Sequence, residues 1–169
     1  MVYQAKKATV RAAMLAFGAA FETISKRSPE LKAEIAGWDE GRVFSLGVLP
    51  DGPAVAFQKK GDRIQYLGKG HHDSTLTILF KNMDAALLPL TFRIGTDTSY
   101  AQRRGILYGN IAQGMQLTRA MGIVQSYLLP HSILEKTCKR APTLTPGQFR
   151  LKIWVMATLL FGMVFRLAR

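Results

Sequence analysis

Along the first 25 residues, apolar side chains recur at steps of four, three, four and three: Val10, Met14, Phe17, Phe21 and Ile24. That spacing puts all five on one side of a helix, so an amphipathic helix is predicted over 3–25. Ser25 to Pro29 interrupts it. PELKAEIAGW then predicts a short second helix, with Pro29 in its first turn and a stop near Gly37.

The period next changes to two. GRVFSLGVL alternates Phe44, Leu46 and Val48 against the other face, and Pro50-Asp51-Gly52 supplies a turn. PAVAFQKK, RIQYLGKG and HHDSTLTILF predict three further strands, the last carrying Leu76, Ile78 and Phe80 on one side. Connections this short favour antiparallel neighbours. Alternation gives every strand two faces and does not say which looks inward. Asn82 can cap a short helix, MDAALL, ending before Pro89. GTDTSYAQRR suits one helical turn, GILYG a fifth strand, and Asn110 to Leu129 a long helix that Pro130 breaks.

Beyond Pro130 the pattern is helical again. Ser132 and Glu135 read as a capping box for a short basic helix, SILEKTCKR, ended by Pro142. Thr145-Pro146-Gly147-Gln148 is a start signal for a last helix running to the C-terminus. The domain therefore divides into 1–130 and a basic and apolar extension, 131–169.

Length and composition change this picture little. With 169 residues, 48% hydrophobic and 20% charged, the chain suits one folded domain. Its single cysteine, Cys138, excludes an internal disulfide and fits a reducing compartment, and the N-terminus lacks the pattern of a secretory signal. Charge is more informative. Through Thr98 there are 13 Lys and Arg against 10 Asp and Glu; from Ser99 onward there are 10 against one, Glu135. A basic C-terminal part suits a polyanion, either nucleic acid or anionic headgroups. Nucleic acid is not expected: the cations are dispersed and no aromatic-rich basic strand, helix-turn-helix or zinc-finger pattern occurs.

The last helix holds 13 uncharged residues, Ile153 to Phe165. They cover about 20 Å, against roughly 30 Å of bilayer hydrocarbon. The run is apolar all round, and Arg150, Lys152, Arg166 and Arg169 bracket it as cations would at a headgroup layer. Shallow membrane association through Arg150, Lys152, Ile153, Trp154, Leu160, Phe161, Phe165 and Arg166 is the favoured expectation. Burial against the domain or a second copy comes next, and a true crossing third. The expected location is cytoplasmic and peripheral, on the inner face of the membrane.

Enzymatic signals are thin. His71-His72-Asp73 places adjacent ligands on opposite faces of a strand, and no Cys/His cluster joins them. Cys138 has Lys136, Lys139 and Arg140 as neighbours but no identifiable base. Gly68-Lys69-Gly70 precedes a strand, not a helix, so it is a poor phosphate loop. No catalytic residue, metal or cofactor is expected.

The layout as a whole resembles the sterol carrier protein type-2 domain, as found in stand-alone bacterial members. The resemblance covers Ala5 to Pro130 and is carried by Trp38 before the first strand, GRVFSLGVLPDGPAVAFQKKGDRIQYLGKG, DSTLTILFKNMDAALLPL and, above all, RRGILYGNIAQGMQL. It implies an α+β fold, a five-stranded mainly antiparallel sheet covered by helices, with an apolar tunnel for a lipid or fatty acyl chain. Tunnel residues would be Phe44, Leu46, Phe57, Leu76 and Ile78 from the sheet and Ile111, Met115, Leu117, Met121, Val124 and Leu128 from the long helix. Phe92 stands where the family often has a small residue, so its ring would narrow or reshape the cavity. Without the resemblance, such a helix face is more often plain core, although methionine adapts readily to different ligands.

Two functions compete. One is binding or transfer of a lipid, with docking on an anionic membrane through the C-terminal helix. The other is an accessory factor that presents a hydrophobic substrate, such as a quinone precursor, to a lipid-modifying enzyme; a homodimer is a further arrangement for the apolar tail.

Overall fold

In the computed structural model, residues 2–129, 149–150, 152–154 and 157 are described. The elements follow the predicted order: α1 (Val2–Ser25), α2 (Pro29–Ala36), β1 (Val43–Val48), β2 (Ala54–Lys60), β3 (Arg63–Lys69), β4 (Leu76–Phe80), α3 (Met83–Leu90), α4 (Thr96–Ala101), β5 (Gly105–Tyr108) and α5 (Ile111–Leu128). The predicted basic helix from Ser132, Cys138, the start signal at Thr145 and Leu160, Phe161, Phe165 and Arg166 lie outside the described residues.

Local chemistry explains the helix boundaries. Ser28 caps α2 by accepting from the Leu31 N–H at 3.2 Å, and Asn82 caps α3 by accepting from Ala85 at 2.8 Å. Asn110 caps α5 through the Ala112 N–H, also at 2.8 Å. Pro89 does not end α3, as the sequence suggests; it sits inside the last turn, where one lost N–H costs the helix little of its length.

The sheet order is β3-β2-β1-β4-β5. β1–β2, β2–β3 and β4–β5 are antiparallel, but β1 and β4 are parallel, with Phe44 opposite Leu76 and Leu46 opposite Ile78. This corrects the expectation that β4 would lie beside β3. The chain leaves β3 at the end where β2 begins and must return along the sheet to start β4, so His71 to Thr75 form a crossover instead of strand. The crossover lies across the sheet face away from the helices. There Ser45, fully buried, bonds His71 Nδ1 at 3.0 Å, Ser74 Oγ at 2.9 Å and Thr77 Oγ1 at 3.0 Å. Gly47 leaves room for it: a Cβ there would stand 2.4 Å from the His71 ring.

The opposite face carries the large side chains of the alternation. Phe44 and Phe57, direct cross-strand partners, stack with centroids 5.1 Å apart. Phe21 of α1 packs against both, at 5.8 and 5.6 Å, and Trp38 meets Phe44 edge-on at 5.7 Å. All five residues predicted for the apolar side of α1 are buried here. α5 packs along α1 and α2, held by Ser28 Oγ donating to Tyr127 at 3.3 Å and by Arg42 donating to Gln116 at 2.9 Å.

One glycine is fixed by both backbone and space. Gly109 has φ +118°, and a Cβ would lie 2.6 Å from the Thr75 carbonyl oxygen. Gly109→Ala should therefore destabilise the fold by about 2 kcal/mol or more. Gly122, in mid-helix with open space where a Cβ would stand, should gain about 0.5–1 kcal/mol as Ala. Paired thermal melts of the two variants check both signs.

Candidate functional site: an apolar cavity at one end of the sheet

α1 occupies the space that a tunnel along the sheet would need. Phe44, Leu46, Phe57 and Leu76 are each at most 1% exposed and belong to one continuous core. Packing of this kind excludes a hydrocarbon chain from most of the length of the sheet. Room remains at one end, where β4 and β5 pass beyond the aromatic cluster and α3, α4 and α5 close over them. The cavity there measures about 30 Å³ and is lined by Phe17, Ile78, Phe80, Pro89, Leu90, Phe92, Thr96, Ser99, Tyr100, Gly105, Met121 and Gln125.

Of the residues predicted to line a tunnel, the structure brings Ile78, Phe92 and Met121 together at this cavity. Phe44, Leu46, Phe57, Leu76, Leu117 and Val124 are core, and Leu128 is half-buried against it. Ile111 and Met115 are corrections: they are 75% and 56% exposed. The reason is angular. At about 100° per residue, the two lie near each other but roughly a quarter turn or more from Leu117, Met121, Val124 and Leu128, so one wall cannot hold all six. Tyr108, at the end of β5, is likewise outward at 54% exposed.

The residues that sequence reasoning missed come mainly from α3 and α4. Thr96, Ser99, Tyr100 and Gln125 give the cavity a polar side. Gln125 donates to Thr96 Oγ1 at 3.0 Å, and both Gln125 and Ser99 are buried. Burial pushes the Tyr100 phenol above its ordinary value, against the effect of its hydrogen bond with Thr118, so it is a neutral hydroxyl. Among the described residues no charged side chain lines the cavity. The short polar stretch GTDTSYAQRR offered no apolar periodicity to mark it as a wall.

Phe92 has an unusual backbone, with φ +59°. It follows the C-cap of α3, and the next residue, Arg93, donates its N–H back to Leu88 at 2.9 Å. This is a helix ending in which glycine usually takes the left-handed place. A bulky residue there costs about 1–2 kcal/mol, and its ring forms part of the cavity wall.

The start of the last helix is also placed. The Lys152 ammonium donates to Ser126 O at 3.0 Å and to Leu129 O, satisfying carbonyls at the end of α5. Burial lowers the Lys152 pKa. The Arg27 guanidinium lies 3.5 Å from the centroid of the Trp154 ring. Lys152 and Trp154, expected at a membrane, thus contact the domain, while Arg150 and Ile153 face outward beside Phe149. Among the described residues no helix is long and apolar enough to cross a membrane. No group of three potential metal-ligating side chains occurs among them either.

The molecule is thus an α+β domain: a five-stranded mixed sheet, one face helix-covered, with a small uncharged cavity at one end. No protein-family profile matches the chain, and no curated protein does. Solved structures similar to it include the UbiJ-SCP2 ubiquinone synthesis protein, at 17% identity and TM-score 0.47 over 65% of this chain and 96% of that one. Palmitated sterol carrier protein 2-like 2 from Aedes aegypti is similar at 17% identity and TM-score 0.39, over 59% and 92%. A conserved hypothetical protein from Thermus thermophilus is similar at 17% and 0.46, over 65% and 86%.

Truncating the core should cost stability and truncating an exposed apolar side chain of α5 should not. Phe44→Ala is expected to lose about 3–5 kcal/mol, and Met115→Ala to stay within about 0.5 kcal/mol of the parent, read by urea denaturation.

Proposed function

We propose that the protein binds a lipid non-catalytically, inserting an apolar chain at the cavity under Phe92 and Met121. The observation that carries this reading is an enclosed, uncharged, mostly apolar space with a few hydroxyl and amide groups on one side. A cavity needs about 10–15 Å³ to hold one water, so 30 Å³ takes only a few atoms. Binding a long chain therefore requires side chains to move. Met121, unbranched, adapts most readily, and Phe92, half-buried just after α3, is the other wall side chain placed to move. Each methylene buried contributes about 0.8 kcal/mol, which suffices for binding without a charged anchor. With Thr96, Ser99, Tyr100 and Gln125 as the polar groups, a neutral head such as a hydroxyl or carbonyl suits the site better than a carboxylate.

The C-terminal extension supports a membrane role in the same reading. Lys152 and Trp154 tie the start of the last helix to the domain, leaving Phe149 and Ile153 outward, 55% and 58% exposed. An apolar outward face flanked by Arg150 suits an anionic bilayer surface. A second reading has one observation in its favour: Ile111 and Met115, one turn apart on α5 and both exposed, suit a protein partner to which the domain presents its lipid.

Two experiments test these statements. Displacement of a fluorescent fatty alcohol from the full chain should show binding that weakens at least tenfold in Met121→Phe and strengthens in Phe92→Gly; absence of binding, or indifference to both changes, refutes the cavity. Co-sedimentation with phosphatidylglycerol vesicles should fall severalfold in the Phe149→Asp, Ile153→Asp double variant, and unchanged sedimentation refutes docking by this face.

A further inference from the structure

A second concavity, of about 440 Å³, lies at the same end of the sheet but outside the core, between α1 and the β1–β2 turn. One wall is a single face of α1, where Lys7 and Arg11 are one turn apart. The other walls are the turn from Pro50 to Ala54 and the chain leaving β3 at Lys69. Backbone bonds hold both: Gly52 N–H donates to Val48 O at 2.8 Å, and Gly70 N–H to Ala54 O at 3.0 Å. The floor is apolar, with Met14 and Val55 1% and 2% exposed and Leu15 half-buried.

Lys7, Arg11 and Lys69 line this groove, and none of them is in an ion pair among the described residues. The adjacent cation Lys6 is treated differently: it pairs with Asp84 at 2.6 Å. The groove's lining includes one carboxylate, Asp51, against the three cations, with His71 at its rim. Like charges one helical turn apart repel, and a third in a concave wall raises the local potential further. An anion in the groove relieves this repulsion, and the apolar floor adds burial for whatever the anion is attached to.

We infer that this groove binds an anionic amphiphile: a phosphate or carboxylate held by Lys7, Arg11 and Lys69, with a short hydrocarbon stem on Met14, Leu15 and Val55. It is chemically the opposite of the uncharged cavity and does not depend on it. Calorimetric titration of the full chain with monomeric octyl phosphate, inorganic phosphate and octanol tests it. Octyl phosphate should bind at least tenfold tighter than either of the others. Lys7→Gln with Lys69→Gln should lower its affinity tenfold or more without moving the melting temperature, whereas Met121→Phe should leave it unchanged. Equal binding of octyl and inorganic phosphate, or an unaffected double variant, overturns the inference. Vesicles containing phosphatidic acid, used in the Phe149→Asp, Ile153→Asp background that removes docking by the other face, distinguish the sources. Capture that is lost on adding Lys7→Gln and Lys69→Gln identifies a bilayer headgroup. Capture that these changes leave as it was, alongside lost octyl phosphate binding, identifies a soluble amphiphile.

Discussion

Because β1 and β4 run parallel, the chain has to travel back along the sheet between β3 and β4, and the parallel pair must be covered on both faces. One stretch of six residues, Gly70 to Thr75, meets both needs. It lies over Ser45 and Gly47, whose small side chains alternate with Phe44, Leu46 and Val48. The alternation large-inward, small-outward in β1 therefore reflects two different covers: aromatic helix packing on one side and a hydroxyl network with His71 on the other. The same return path places β4 beside β5, which brings Ile78, Phe80 and Gly105 to the cavity and leaves the end of β3 to wall the basic groove.

Much of this was legible in the chain. The five apolar positions of the first helix and the strand cores show a period set by local geometry, and Asn82 a local capping signal, which short-range pattern reports well. The crossover was not legible, because HHDSTLTILF continues a plausible alternation back to His71 and nothing local tells a strand from an extended return path. Pro89 misleads for a related reason: its effect depends on how close it lies to the helix end. Composition alone puts Ile111 and Met115 on the wall, and the helical angle separates them from Met121 even before packing is considered. The cavity's polar side, on α4, carries no periodic signal at all.

The cavity is small because the aromatic cluster is large. Phe21, Phe44 and Phe57 meet at centroid separations of 5.1 to 5.8 Å, and each ring adds more buried area than an aliphatic side chain would. Opening a tunnel through them would forfeit contacts worth several kcal/mol per ring, by analogy with about 3–5 kcal/mol for truncating a buried phenylalanine. No flexible ligand recovers that cheaply. Space can therefore persist only beyond this stacked cluster, at the end of β4 and β5, where Met121, Leu90 and Pro89 join Phe17, Phe80, Tyr100 and the strained Phe92 in the wall.

Strain at Phe92 has to be offset by its surroundings. A glycine after Thr91 would end α3 without the left-handed penalty, so the ring of Phe92 must return at least as much through its contacts at the cavity as its backbone costs, about 1–2 kcal/mol. A ligand that displaces the ring loses those contacts but replaces them with its own methylenes at about 0.8 kcal/mol each. The backbone strain is the same with the ring in place or displaced, so on the proposed reading the ring's lost contacts are the whole cost, and each methylene that a guest buries offsets about 0.8 kcal/mol of it. On the proposed reading, a guest enters a space this small only as far as the methylenes it buries outweigh the contacts that the Phe92 ring gives up.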